Sequence, residues 1–303
     1  MPECDRRPRI GLALSGGGAR GLAHIGVLKV LEQEGVPVDC LAGTSMGGVI
    51  AAVYAAGLSV EQIEQEALRM SRVRNLITLL DRTLPRRGFF EGRKVLEYLS
   101  TFLGEKTFAD LEIPLALVAV DLISGQEVIL NRGSVLEAVR ATISFPGVFA
   151  PYRLGEHLLV DGGVLNNLPA DVVRGMGADV VIAVDASLSS NGLPQVLEAE
   201  RQGFGLTQLQ LIIETLWRTL SVMENHIMTQ KLRQAQPEVL IRPPLDDSIT
   251  LFKSFPRAAE IIAAGEGAAR AALPRITAAR LKAGQPESVQ EGEAAHETLG
   301  KAL

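Results

Sequence analysis

"LALSGGGARGLAHIGVLKVLE", residues 12–32, sets a strand-like apolar run against a helix-like periodic run, with three consecutive glycines at the junction. Strand, glycine turn and helix in immediate succession open an α/β unit. A loop of this kind suits a dinucleotide pyrophosphate, a nucleotide phosphate, or an oxyanion that exists only during a reaction. Gly16, Gly18 and Gly21 satisfy G-x-G-x-x-G in the strand-to-helix setting that a dinucleotide site requires. Such a site also wants an acidic residue ending the second strand to hold the ribose. Here that strand, "VDCLAG", begins with Asp39 and runs into "GTSMGG". A phosphate-cradling P-loop wants a lysine, but residues 20 and 21 are arginine and glycine. Phosphate is therefore the weaker reading, and a plain tight turn is the bland one.

Outward from this stretch, strands keep alternating with helices, the pattern of a mostly parallel sheet. Strands are expected at 10–14, 38–42, 114–121, 127–130, within "HLLVDGG" and within "DVVIAVD", with a last short one at "EVLIRP". Helices are expected at 22–34 and 46–56, over "VEQIEQEALRM" after Ser59, and over "VLEAVRA" after Ser134. Leu206, Leu209, Ile213, Leu216, Leu220, Met223 and Ile227 repeat at 3–4 spacing and mark the apolar face of a long helix. That face is expected on the domain core, with a dimer seam or a membrane-facing stripe as the alternative. "SLSSNGLPQ" reads as a surface linker, and the polar stretch 283–303 as a fraying tail after one domain over 1–282.

Composition bounds the setting. Of 303 residues, 47% are hydrophobic and 21% charged, as in a globular chain with a well-filled core. A net charge of −5 argues against nucleic acid as the main partner. The charged start "MPECDRRPRI" lacks a signal-peptide core, and no apolar run approaches the ~20 residues that span a bilayer. Cys4 and Cys40 offer neither a disulfide framework nor metal-ligand spacing and read as thiols of a reducing cytoplasm.

"GTSMGG" carries the second signal. G-x-S-x-G at a strand-to-helix junction forms a nucleophile elbow, in which Ser45 takes a strained conformation that pushes its hydroxyl out above the sheet. Gly43 and Gly47 flank it where strand and helix pass too closely for side chains. The following helix turns its positive end toward Ser45 and leaves the Met46 amide free to face the same spot. Both glycine-bearing loops follow adjacent early strands and open on one sheet edge, so one can supply N–H donors to an oxyanion made by the other.

The nucleophile needs a base. His24, His157, His226 and His296 each read as structural or solvated, and Asp161 in "LLVDGGVLNNLP" is the remaining candidate. A carboxylate ending a strand is also a common turn former. As a base it needs a dry setting that raises its proton affinity above that of an ordinary aspartate, pKa ~3.9.

"GGGARG", "GTSMGG" and "DGG", in this order on these elements, resemble the patatin-like phospholipase family of serine acyl hydrolases, over about Ile10 to Asp185. The resemblance implies a three-layer α/β/α sandwich, Ser45 as nucleophile and Asp161 as its only base in a Ser-Asp dyad. It also implies an oxyanion hole at Gly16, Gly17 and Gly18 with Arg20 beside it, to which the elbow reading adds the Met46 amide. Gly21, Gly43, Gly47, Gly162 and Gly163 complete the motifs; the family's third motif ends in alanine or glycine. The implied substrates are acyl esters of phospholipids and other lipids, cleaved without metal or cofactor. Two rivals stand beside this reading: an α/β-hydrolase with a Ser-His-Asp triad, for which only His226 and His296 follow in order, and a non-catalytic nucleotide-binding module.

Residues 68–94 add a possible partner surface. Arg69, Arg72, Arg74, Arg82, Arg86, Arg87, Arg93 and Lys94 stand against Asp81 and Glu91, with large apolar residues between them. The mixture suits a peripheral contact with anionic membrane and a lid over Ser45; a helix with solvated arginines is the plain alternative.

Overall fold

The computed structural model describes residues 6–79, 81, 90–187 and 208–285. Strands β1 (Ile10–Leu14), β2 (Cys40–Thr44), β3 (Leu115–Asp121) and β7 (Val180–Val184) are buried at every position. Continuous burial marks strands covered on both faces. With β4 (Gln126–Leu130), β5 (Tyr152–Leu154), β6 (His157–Asp161) and β8 (Val239–Ile241) they form one sheet, ordered β5-β6-β3-β2-β1-β7-β8, with β4 also paired to β3. The β1–β2, β2–β3, β1–β7 and β7–β8 pairs are parallel, whereas β3–β4, β3–β6 and β5–β6 are antiparallel.

Side chains alternate across this sheet and fix its layers. Leu12, Leu14, Leu41, Leu117, Ile182 and Val184 enter the larger core. Over it lie α1 (Ala23–Gln33), α2 (Ser45–Ala55), α3 (Val60–Met70), α5 (Arg93–Leu103), α6 (Val135–Thr142) and α10 (Ala258–Ala283). Ala13, Ala42, Ala116 and Ala183 face the opposite way, against α8 (Ala170–Gly175) and Met228 of α9 (Gln208–Ala235). The result is a three-layer α/β/α sandwich. Two short helices, α4 (Val73–Thr78) and α7 (Gly163–Asn166), complete the elements used below.

The long helix α9 corrects one expectation. Of the residues expected on its core-facing side, Leu216 is 58% and Met223 54% exposed. The face turned inward is offset by one residue: Trp217, Ser221 and Glu224 line a cavity and Met228 is buried. Apolar periodicity misplaced the inner face because this face serves a polar site. Cys4, Arg82, Arg86, Arg87, the linker "SLSSNGLPQ" beyond Ser187, Leu206, His296 and the tail beyond Gln285 lie outside the described residues. The side chains of Leu209 and Ile213 do so as well.

Candidate active site

The parallel register brings Leu14 level with Gly43, so β1 and β2 deliver residues 15–18 and Ser45 to one edge of the sheet. Ser45 has φ +52°, a region that non-glycine residues rarely enter and keep only where surroundings enforce it. Its amide donates to Thr142 Oγ1 at 2.9 Å, and that hydroxyl donates to the Val118 carbonyl at 2.6 Å. The strained residue is thereby tied to α6 and β3. A Cβ on Gly47 would lie 2.4 Å from the Leu14 and Ser15 carbonyl oxygens, which shows how closely the elbow passes the first loop.

Asp161 reaches the same edge by a route the sequence reading did not foresee. Strand β6 runs antiparallel to β3 and ends with Asp161 opposite Ala119, one register position from the Val118 that pairs with Thr44. The carboxyl is 1% exposed, and its Oδ1 accepts from the Gly163 amide at 2.8 Å. Oδ2 is buried without a hydrogen-bond partner of normal geometry. Burial pushes its pKa up to about 6, against the opposing pull of the neighbouring Ser45 side chain and the Gly163 amide. An aspartate with this proton affinity is a competent base near neutrality.

The amides around Ser45 divide cleanly. Gly16 donates to the Asn167 carbonyl at 3.0 Å, Ala19 to Leu251 at 2.7 Å, and Arg20 to Gly17 at 3.0 Å. Gly17, Gly18 and Met46 line the cavity at the starts of helical turns, and their amides donate to no partner among the described residues. Gly16 and Arg20 therefore leave the expected donor set. The Arg20 side chain is buried elsewhere: it donates to the carbonyls of Ala186, Asp246 and Ile249 at 3.0–3.2 Å and clasps the C-terminal loops to the glycine turn. Gly16 is needed for space, because a Cβ there would sit 2.4 Å from Asn167 Oδ1. Gly21 makes room for the Met46 side chain, and Gly43 for the α2 backbone.

The described histidines stay out of the site. His24 is fully buried, shares a hydrogen bond with the Ser15 carbonyl through Nε2, and is pushed down to about 4 by burial. His157 pairs with Asp121, and exposed His226 with Gln230. Among the described residues no group of three or more His, Cys, Asp or Glu is arranged to hold a metal.

Ser45 and Asp161 open into a cavity of about 1130 Å³. Val49, Ile50 and Val53 of α2, Ile63 and Ala67 of α3, and Val95, Leu99 and Phe102 of α5 line it. Phe90, Leu76 and Leu79 of the 68–94 segment join them. Thr142, Asn167 and Glu224 escaped the sequence reading. Only proximity in the folded chain marks them, since no motif includes them.

A serine elbow facing a buried aspartate across one edge of an α/β/α sandwich defines the class of fold and site. The chain belongs to the patatin-like phospholipase family, whose sequence model matches residues 12–174. An uncharacterised NTE family protein of Mycobacterium tuberculosis is 39% identical over 185 residues, 61% of this chain and 51% of its own length. Human patatin-like phospholipase domain-containing protein 6 is 40% identical over 180 residues, 58% of this chain and 13% of its own. The chain thus spans about half of the first relative and a small part of the second. VipD from Legionella pneumophila superposes with a TM-score of 0.46 at 13% identity, over 88% of this chain and 67% of that one.

Proposed function

We propose that the protein is a metal-independent serine acyl hydrolase that cleaves carboxylic esters of phospholipids or related lipids. The observation that carries the reading is the strained Ser45 beside a buried Asp161 at the mouth of a large apolar cavity. Ser45 Oγ attacks the ester carbonyl and its proton passes to Asp161. The Gly17, Gly18 and Met46 amides stabilise the tetrahedral oxyanion, each such donor being worth ~100- to 1,000-fold in turnover. Collapse expels the alcohol and leaves an acyl-enzyme, which water hydrolyses to free acid and enzyme. The apolar lining takes the acyl chain, so lipid esters fit better than small polar ones.

Family membership supports the lipid ester, and the positions of the described histidines, His226 among them, disfavour a Ser-His-Asp triad. A nucleotide-binding role finds no support in a loop whose free amides face a serine.

The rim is the docking face for lipid. Arg72 and Arg74 are exposed on either side of Val73, itself 59% exposed and part of the cavity lining. Among the described residues no helix is long and apolar enough to cross a membrane, so contact through this rim is peripheral.

The decisive experiment is hydrolysis of phospholipid, lysophospholipid and short-chain esters together with fluorophosphonate labelling. Ser45→Ala is expected to abolish both. A folded Ser45→Ala protein that still cleaves these esters refutes the proposal.

A further inference from the structure

Glu224 has no part in the scheme above, yet it stands in the same cavity wall as Ser45 and Asp161. A methyl-sized space above Gly163 lies 3.2 Å from Asp161 Oδ1 and 3.6 Å from Glu224 Oε1, so the two carboxyls border one gap. The inward face of α9 places it there, next to Ser221 and Asn225. Glu224 makes no ion pair among the described residues. The other charges of the neighbouring elements are engaged or line the same cavity. On α8, Asp171 holds Lys231 together with Glu127, and Arg174 holds Glu238. Arg218 of α9 and Lys253 of the facing loop also line the cavity. Burial and the negative charge of Asp161 nonetheless push the Glu224 carboxyl up to about 8.

We infer that Glu224 is a second catalytic carboxyl, the general acid that protonates the leaving alcohol. This inference rests on the hydrolase reading above. Two carboxyls whose surroundings push their proton affinities apart divide acid and base duties between them. Near neutrality Asp161 is the carboxylate and Glu224 the acid.

The protons then balance through a full turnover. In acylation the Ser45 Oγ bonds to the carbonyl carbon and its proton passes to Asp161. As the ester C–O bond breaks, the departing oxygen takes the proton of Glu224. In deacylation water bonds to the acyl carbon and gives a proton to the Glu224 carboxylate. The acyl–Oγ bond breaks and Ser45 recovers its proton from Asp161. Both carboxyls return to their starting states.

The test compares two esters of one acyl chain in Glu224→Gln. An alkyl alcohol leaves only when protonated, whereas p-nitrophenolate leaves as an anion. Its burst reports acylation alone. Loss of a general acid costs ~100- to 10,000-fold, so alkyl-ester hydrolysis is expected to fall ~100-fold more than the p-nitrophenolate burst. In the wild type the alkyl-ester rate should decline above about pH 8, as Glu224 loses its proton. This alkaline limb should vanish from the residual Glu224→Gln rate.

Equal losses on both esters, an alkaline limb that survives in Glu224→Gln, or loss of fluorophosphonate labelling in that variant would overturn the inference. The last result would mark Glu224 as structural. Ser45→Ala separates the two levels: if it kills hydrolysis while Glu224→Gln does not discriminate the esters, the hydrolase reading stands and the role of Glu224 falls. Survival of hydrolysis in Ser45→Ala removes both.

Discussion

Asp161 shows how one residue exchanges stability for reactivity. Its carboxyl is buried with one oxygen unpartnered, and its pKa in the folded protein, about 6, exceeds the unfolded value of ~3.9. The shift favours folding fully only below the unfolded value, and that contribution is lost as pH rises through about 6. Asp161→Asn removes the buried charge and is expected to raise Tm at pH 7–8 by about 2–6 °C in calorimetry. Its activity should fall ~1,000-fold or more, with the Ser45→Ala, Asp161→Asn double mutant scarcely worse than either alone. The wild-type acid limb follows with its sign fixed: kcat/KM should decline below about pH 6, as the base takes up a proton. A wild-type profile flat down to pH 4 would show that Asp161 is not the base. The neighbouring glycines separate space from chemistry. A Cβ on Gly162 would sit 2.4 Å from the Val118 carbonyl oxygen, whereas on Gly163 it would stand 3.2 Å from its nearest neighbours, Asn167 Oδ1 and Asp161 Oδ1. Gly163→Ala is expected to fold with little change in Tm, and Gly162→Ala to lose the ~1–3 kcal/mol of overpacking or more, read as a sharply lower Tm.

At the scale of elements, α1 and α10 cross in close contact in the larger core. A Cβ on Gly26 would meet the Ile262 carbonyl oxygen at 2.1 Å, and one on Gly265 the Ala23 carbonyl oxygen at 2.0 Å. Backbone therefore touches backbone, each glycine being the seat for the other helix. Glycine inside a helix ordinarily costs up to about 1 kcal/mol relative to alanine, so Gly→Ala on an open helix face stabilises. Here the sign reverses: Gly26→Ala and Gly265→Ala should each unfold at lower denaturant than wild type, while Gly267→Ala, with no atom within 4 Å of its Cβ position, should not. The same comparison explains which elements were legible in the sequence. Strands β1, β2, β3 and β7 and helices α1, α2, α3 and α6 announce themselves because apolar period and caps agree with burial; Ser59 and Ser134 do accept from the amides of Gln62 and Glu137. On α9 Leu216 and Met223 of that period point outward while Leu220 and Ile227 are only half-buried, since the inner face carries Ser221, Glu224 and Asn225 around a cavity. A pattern rule based on burial fails where a helix is buried for chemistry.

For the molecule as a whole, the motifs that hold the proposed nucleophile and base were legible and their surroundings were not. Ser45 and Asp161 lie in short motifs, whereas Thr142 and Glu224 reach the site only through folding of distant segments, and the Gly16 amide and the Arg20 side chain are engaged in hydrogen bonds of their own. The cationic segment is divided in a similar way. Arg69 pairs with Glu66 and stacks on the Tyr98 ring, both of which line the cavity, and Asp81 accepts from the Gly92 and Arg93 amides at the start of α5. Arg72 and Arg74 remain exposed beside Val73 at the mouth, in a chain of net charge −5. On the docking proposal above, Arg72 and Arg74 would orient a negative molecule toward an anionic surface, with each basic residue contributing ~1 kcal/mol near the lipid. Salt should weaken this attraction, since the Debye length shrinks from ~10 Å at 0.1 M to ~3 Å at 1 M. Hydrolysis of anionic vesicles is therefore expected to fall as salt rises from about 0.05 to 0.5 M, and at low salt the Arg72→Gln, Arg74→Gln double variant should lose ~10- to 30-fold on vesicles, the effect of up to about 2 kcal/mol. A soluble short-chain ester needs no docking, and its turnover should hold across both changes. Vesicles made only of zwitterionic lipid should show neither the salt dependence nor the mutant defect. Parallel losses on the soluble ester would place the two arginines in the catalytic machinery instead, and unchanged vesicle activity would remove the rim from lipid binding altogether.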